Sequence, residues 1–151
     1  MEYTNARITK LRQYLMSVID TLVSDTKHQI NANMLSNQIG DYSLDKIPTN
    51  NEVERWITGD VIHRDVFSFR SRKKYSQQTI TNLSNIGFFE EFERIIKNNN
   101  DDGILPDING IETIECLNSG TMVHNDDGNS AEFDIQIQIT YRETDDGSIS
   151  L

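Results

Sequence analysis

The residues of this chain whose types are suited to chemistry are three histidines, one cysteine and two acidic runs. His28, His63 and His124 fall in three separate segments, and no pair lies one helical turn apart as zinc ligands on a helix do. His63 has Asp65 two residues on, a spacing too loose to define a proton relay, and a surface histidine is expected there. "NNNDDG" (98–103) and "NDDGNS" (125–130) offer oxygen atoms of the kind calcium takes. Neither has the ligand ladder with a closing glutamate, so both predict turns. Cys116 follows Ile114 on one face of an apolar run, which predicts a small buried hydrophobe and not a nucleophile. The eight glycines are scattered and form no phosphate loop. Paired carboxylates abound, but they lie in stretches that read as solvated loops, where nothing tunes them for acid–base work. The sequence therefore predicts no catalytic residue, no metal site and no cofactor.

The chain has 151 residues, which fits one domain over 1–151, long enough to build a core without disulfides. A lone cysteine excludes a disulfide framework, and with no secretory signal the expected place of synthesis is a reducing cytoplasm. "LMSVIDTLV" is too short and too interrupted to span a membrane. The net charge of −10 argues against a general nucleic-acid binder, which needs a basic face. One local anomaly runs the other way. Arg70, Arg72, Lys73 and Lys74 form a basic patch that reads either as a solvated loop balancing nearby acids or as a contact for an acidic partner or another copy of this acidic chain.

The elements that must position these residues follow from periodicity. Ile8, Leu11, Leu15, Val18 and Leu22 give residues 5–23 one apolar helical stripe. Short strands are expected around His28–Leu35 and Tyr42–Ile47, and residues 51–58 form a helical turn or stay extended until Gly59. Phe67 and Phe69 alternate with Ser68 and Arg70 in a strand over 60–71. Residues 76–98 predict a helix pair broken at Gly87, with Ile80, Leu83 and Ile86 as one stripe and Phe88, Phe89, Phe92, Ile95 and Ile96 as the next. A strand over 111–117, a loop or hairpin tip, and a strand over 131–143 follow, ending in a frayed tail at 144–151. The order predicts an α+β fold, an antiparallel sheet of about four to five strands flanked by an N-terminal helix and a broken helix pair.

The most regular stretch is "AEFDIQIQITYRE". Phe133, Ile135, Ile137, Ile139 and Tyr141 form its dry face, while Gln136, Gln138 and Arg142 stand on its wet face. A long half-wet strand so near the C-terminus invites pairing with another chain. Gln136, Gln138 and Arg142 join the basic patch as candidate contacts.

Five segments together, "NMLSNQIGDYSLDKIP", "EVERWITGD", "VFSFRSRKKYSQQTITNLSNIGFFEEFERII", "IETIECLNSG" and "AEFDIQIQITYRE", resemble the phage tail terminators of Gram-positive bacteria, also named minor capsid or head–tail joining proteins. The likeness spans residues 30–143 and departs from the family at "KKY", where an acidic residue is expected. It implies a virion protein of a phage tail or a phage-tail-like bacteriocin, made in the bacterial host cytoplasm. It further implies a subunit that closes into a ring, usually a hexamer. The ring would cap the tail tube protein, end its polymerisation, and meet the head connector or, in contractile tails, the sheath protein. In such a ring the 131–143 strand either pairs across the subunit boundary or lies in the sheet lining the lumen. An acidic lumen would let DNA pass without adhering. The alternatives are a head completion, connector or tube-like protein of the same particle and, from another class, a small-molecule binding domain.

Overall fold

A computed structural model describes residues 4–22, 29–32, 35, 41–74, 79–118, 120–124 and 130–144. Two strands set the frame. β4 (Val61–Lys74) and β7 (Ser130–Glu143) are 14 residues each and pair antiparallel over their whole length, from Val61 opposite Glu143 to Lys74 opposite Ser130. Strict alternation in β7 makes this register selective, because a slip of one residue would turn every Ile of β7 to the wet face. Phe67 then faces Ile137, and Phe69 faces Ile135, and all four are buried.

The remaining strands line the two sides of this pair. β2 (Asp41–Ile47) and β3 (Glu52–Arg55) both pair with β4, β2 along its C-terminal half and β3 at its N-terminal end. β5 (Ile111–Cys116) and β6 (Thr121–His124) both pair with β7. β1 (Gln29–Ala32) adds to β2 in parallel. Among the described residues the sheet thus has seven strands and one parallel pairing, larger than the expected antiparallel sheet of about four to five. The fold is α+β, as the sequence predicts.

Both helices cover one face. Leu11, Tyr14, Leu15, Val18 and Ile19 of α1 (Thr4–Leu22) enter a core shared with Phe92 and Ile96 of α2 and the inward side chains of β2, β4, β5 and β7. α2 (Thr79–Asp101) is a single helix, not a pair broken at Gly87. Gly87 is exposed and a side chain there would meet only open space. Its cost of about 1 kcal/mol is overridden by the packing of Phe88, Phe89 and Phe92 just after it. Ile86, expected in a buried stripe, is exposed. The helix also runs through Asn98–Asp101, where a loop is expected. It stops in a Schellman closure: Ile104 N–H donates to Asn99 C=O (2.8 Å), Gly103 N–H donates to Asn100 C=O (3.3 Å), and Gly103 takes φ 75°.

Strand edges are covered in specific ways. On β5, Ile114 N–H donates to Asn100 Oδ1 of α2 at 2.9 Å. On β1, the Ile30 carbonyl accepts Arg12 Nε at 2.6 Å. β7 has no free edge, since β4 takes one side and β5 and β6 take the other. Pairing of the 131–143 strand across a subunit boundary is therefore excluded, and only its outer face remains for contacts. The "NDDG" turn and residues 145–151 of the expected frayed tail lie outside the described residues.

Candidate functional site

Alternation divides the basic patch. Lys73 faces the core side of the sheet and Arg70 and Arg72 face the outer side, because all three lie within β4 and not in a loop. Lys74 sits opposite Ser130 in the register. Arg70 is the centre of an intramolecular network: its Nε lies 2.7 Å from Asp45 Oδ2, its Nη1 donates to Glu132 Oε1 at 3.4 Å, and its Nη2 donates to Ser43 Oγ at 3.3 Å. Ser68 donates a short bond to Asp134 beside it. Arg72, opposite Glu132, is buried. These charges are already used within the subunit. Arg70→Glu together with Arg72→Glu is expected to lower folding stability by about 2 kcal/mol or more, since it sets new carboxylates against Asp45 and Glu132. Urea denaturation checks this, and an unchanged midpoint would return Arg70 to the role of a free contact.

Lys73 stands apart. Its Nζ donates to the Tyr42 hydroxyl at 2.8 Å and lies 3.3 Å from the centre of the Phe88 ring. Burial pulls its pKa down to about 7, against the aromatic rings that favour the charged form. With the folded pKa below the unfolded one, the unfolded chain binds more protons above about pH 7. Stability therefore rises from about pH 7 towards about pH 10, where tyrosines begin to ionise, by at most about 1.4 kcal/mol per pH unit. Lys73→Met should raise stability at neutral pH and flatten that slope, read by thermal melts across the range. A slope that survives the substitution would contradict the assignment.

The other candidates lie along the outer face. Gln138 Nε2 donates to Glu115 Oε1 of β5 at 3.0 Å, and the Gln136 backbone N–H is capped by Asn118 Oδ1 at 2.7 Å. Arg142 forks onto Asp60 Oδ2 at 2.9 and 3.1 Å and lies 3.7 Å from the centre of the Trp56 ring. Arg142 thus leads to a feature that periodicity does not reveal. β3 and the start of β4 form a hairpin arm whose strand β3 is exposed at every residue. Gly59, at φ 92°, closes the turn, with Gly59 N–H donating to Trp56 C=O at 2.9 Å and Trp56 N–H to Asp60 C=O at 2.8 Å. Val53, Trp56 and Ile57 are exposed, and Ile57 at the tip is 107% accessible. The register shifts between Glu52 and Glu54, so β3 is not a flat edge for strand addition. The arm presents side chains.

The base of the arm is anchored in the core by a carboxylate. Asp65, 0% exposed, faces inward between Phe67 and His63. Arg7 Nε of α1 reaches its Oδ2 at 2.7 Å, Asn51 Nδ2 reaches its Oδ1 at 3.0 Å, and Lys46 Nζ lies 3.5 Å away. Asn51 also bonds the Arg64 backbone in both directions (2.6 and 2.7 Å) and touches the Tyr141 hydroxyl at 3.2 Å. Unlike the paired carboxylates expected in solvated loops, Asp65 is a strand residue buried in the core. The signal was its parity, because Asp65 is in phase with Phe67 and Phe69. His63, expected at the surface, is partly buried and stacks on Tyr141 at 5.3 Å.

Cys116 is partly buried, and burial, with Glu93 and Glu115 nearby, pushes its thiol up to about 12. Thiolate is scarce there at neutral pH. Among the described residues, no three of His, Cys, Asp and Glu gather within reach of one metal ion. No described helix is long and apolar enough to cross a membrane. No protein-family model matches the chain, and no curated protein matches it.

Proposed function

We propose that this chain is a structural subunit that adheres to copies of itself in a ring, acting as a tail terminator on a phage tail or phage-tail-like particle. The observation that carries the adhesive reading is the arm: three large apolar side chains, Val53, Trp56 and Ile57, held out on a hairpin. An exposed apolar group of this kind marks an interaction surface. The Asp65–Asn51 anchor and the Arg142–Trp56 contact hold the arm in place before it meets a partner, which reduces the ordering cost of binding. The terminator role itself is supported by the likeness of the five sequence segments. The net charge of −10 suits a lumen wall that repels DNA phosphate and lets the genome slide past.

Light scattering of the purified protein with and without tail tubes, followed by electron microscopy, tests this reading. A discrete ring, in solution or seated on the tube end, is expected. A protein that stays monomeric and never associates with tubes would overturn it.

A further inference from the structure

Lys73 is a lysine set among neutral groups. It lies on the inward face of β4, in phase with Phe69 and opposite Ala131 of β7. Its Nζ meets the Tyr42 hydroxyl of β2 at 2.8 Å. It lies 3.3 Å from the centre of the Phe88 ring of α2 and 4.8 Å from the centre of the Tyr42 ring. Phe69 stacks on Tyr42 at 5.5 Å and completes the nest. Tyr42 does not supply the missing negative charge, because burial raises its pKa and keeps the phenol protonated. Among the described residues, no carboxylate lies at ion-pair distance from this amine, and burial alone sets its low pKa of about 7. A buried ammonium without a counter-ion is the costlier form and gives up its proton. About half of the chains therefore carry a free amine at position 73 at neutral pH, whereas an ordinary lysine is in that form about once in 2,500. The free amine is the nucleophilic form of lysine. The nest is not sealed, since Lys73 and Phe88 are both partly exposed.

We propose that Lys73 is a modification site for small apolar aldehydes, which its nitrogen takes up as an aldimine. The nitrogen lone pair adds to the carbonyl carbon and opens the C=O double bond, giving a carbinolamine. Both amine hydrogens then leave with the carbonyl oxygen as one water, and a C=N bond remains. No oxidant or reductant is consumed. The product suits the nest better than the ammonium does. A neutral aldimine needs no counter-charge, and a short alkyl chain on it lies against the rings of Phe88 and Tyr42. An aldehyde that carries a carboxylate would bring a charge into surroundings that are mostly rings, so the selection is for apolar chains.

Propanal with cyanoborohydride tests this on the unaltered chain. The reductant converts any imine to a stable propylamine, which peptide mass spectrometry locates residue by residue. Lys97, whose side chain is 79% exposed, is the internal reference. At pH 7, Lys73 should be labelled at least about tenfold ahead of Lys97, a smaller lead than the ratio of free amines because the nest partly covers the nitrogen. At pH 10 exposed amines are largely free, and the lead should vanish. Glyoxylate, a small aldehyde that carries a carboxylate, should show no such lead at Lys73. Lys73→Arg should remove the early propyl adduct and leave labelling of Lys97 unchanged. Labelling of Lys73 no faster than of Lys97 at pH 7, or only after the chain is unfolded in urea, would overturn the inference. An equal lead with glyoxylate would overturn the selection for apolar chains.

Discussion

Asp65→Ala is expected to lower the free energy of unfolding by about 3–5 kcal/mol. Asp65 is fully buried, and its carboxylate is the shared acceptor for Arg7 and Asn51. Removing it takes from the Arg7 guanidinium, only 7% exposed and beside the ring of Tyr141, the carboxylate it meets at 2.7 Å. The weakened pairing of a buried charge, more than the lost bond to Asn51, sets the size of the effect. The double variant Arg7→Met, Asp65→Leu should recover most of the loss, because a buried ion pair replaced by apolar groups of similar volume is often neutral. Urea denaturation of the two variants measures both numbers. A loss below about 1 kcal/mol for Asp65→Ala would mean that Arg7 finds water, and that the anchor at the base of the arm is not dry.

Phe92→Ala should cost about 3–5 kcal/mol by leaving a cavity. Phe92 is 0% exposed and stacks on Phe69 at 5.2 Å and on Phe88 at 6.5 Å. It is the point at which α2 grips the central strand β4, so its loss loosens helix from sheet. Ile86→Ala on the same helix is the control: Ile86 is exposed, and a surface truncation there should stay within about 0.5 kcal/mol. Equal effects from the two substitutions would contradict the packing described for α2.

Much of this fold was legible because one long strand alternates without a break and another does so over part of its length. β7 and the Phe67–Arg70 part of β4 declare their dry faces by parity alone, and the stripe of Leu11, Leu15 and Val18 declares α1. Where local rules compete with packing, sequence reasoning failed. Gly87 is a helix breaker by propensity, yet the aromatic cluster that follows it carries the helix through. The run after Ser71 looked like a loop because it is basic, but β7 offers it partners out to Ser130, so the strand continues to Lys74. The candidate site was only partly visible. Arg142 stands on the outer face of its strand as its parity predicts, but its contact with Trp56 needs β3 folded back on β4, which "NEVERWITGD" does not announce by alternation. The edge role expected for β7 failed for a topological reason: β5 and β6, one of them a four-residue strand flanked by turn formers, occupy its second side.

The role proposed for this chain is adhesion between copies of itself at the end of a tail tube. Imaging of the mature particle at side-chain detail tests that most directly. The expected result is a closed ring of this chain seated once per particle at the terminus of the tube, with its outer sheet faces and arms in contact with neighbouring copies. Finding the chain along the tube, within the head connector, or nowhere in the particle would contradict it.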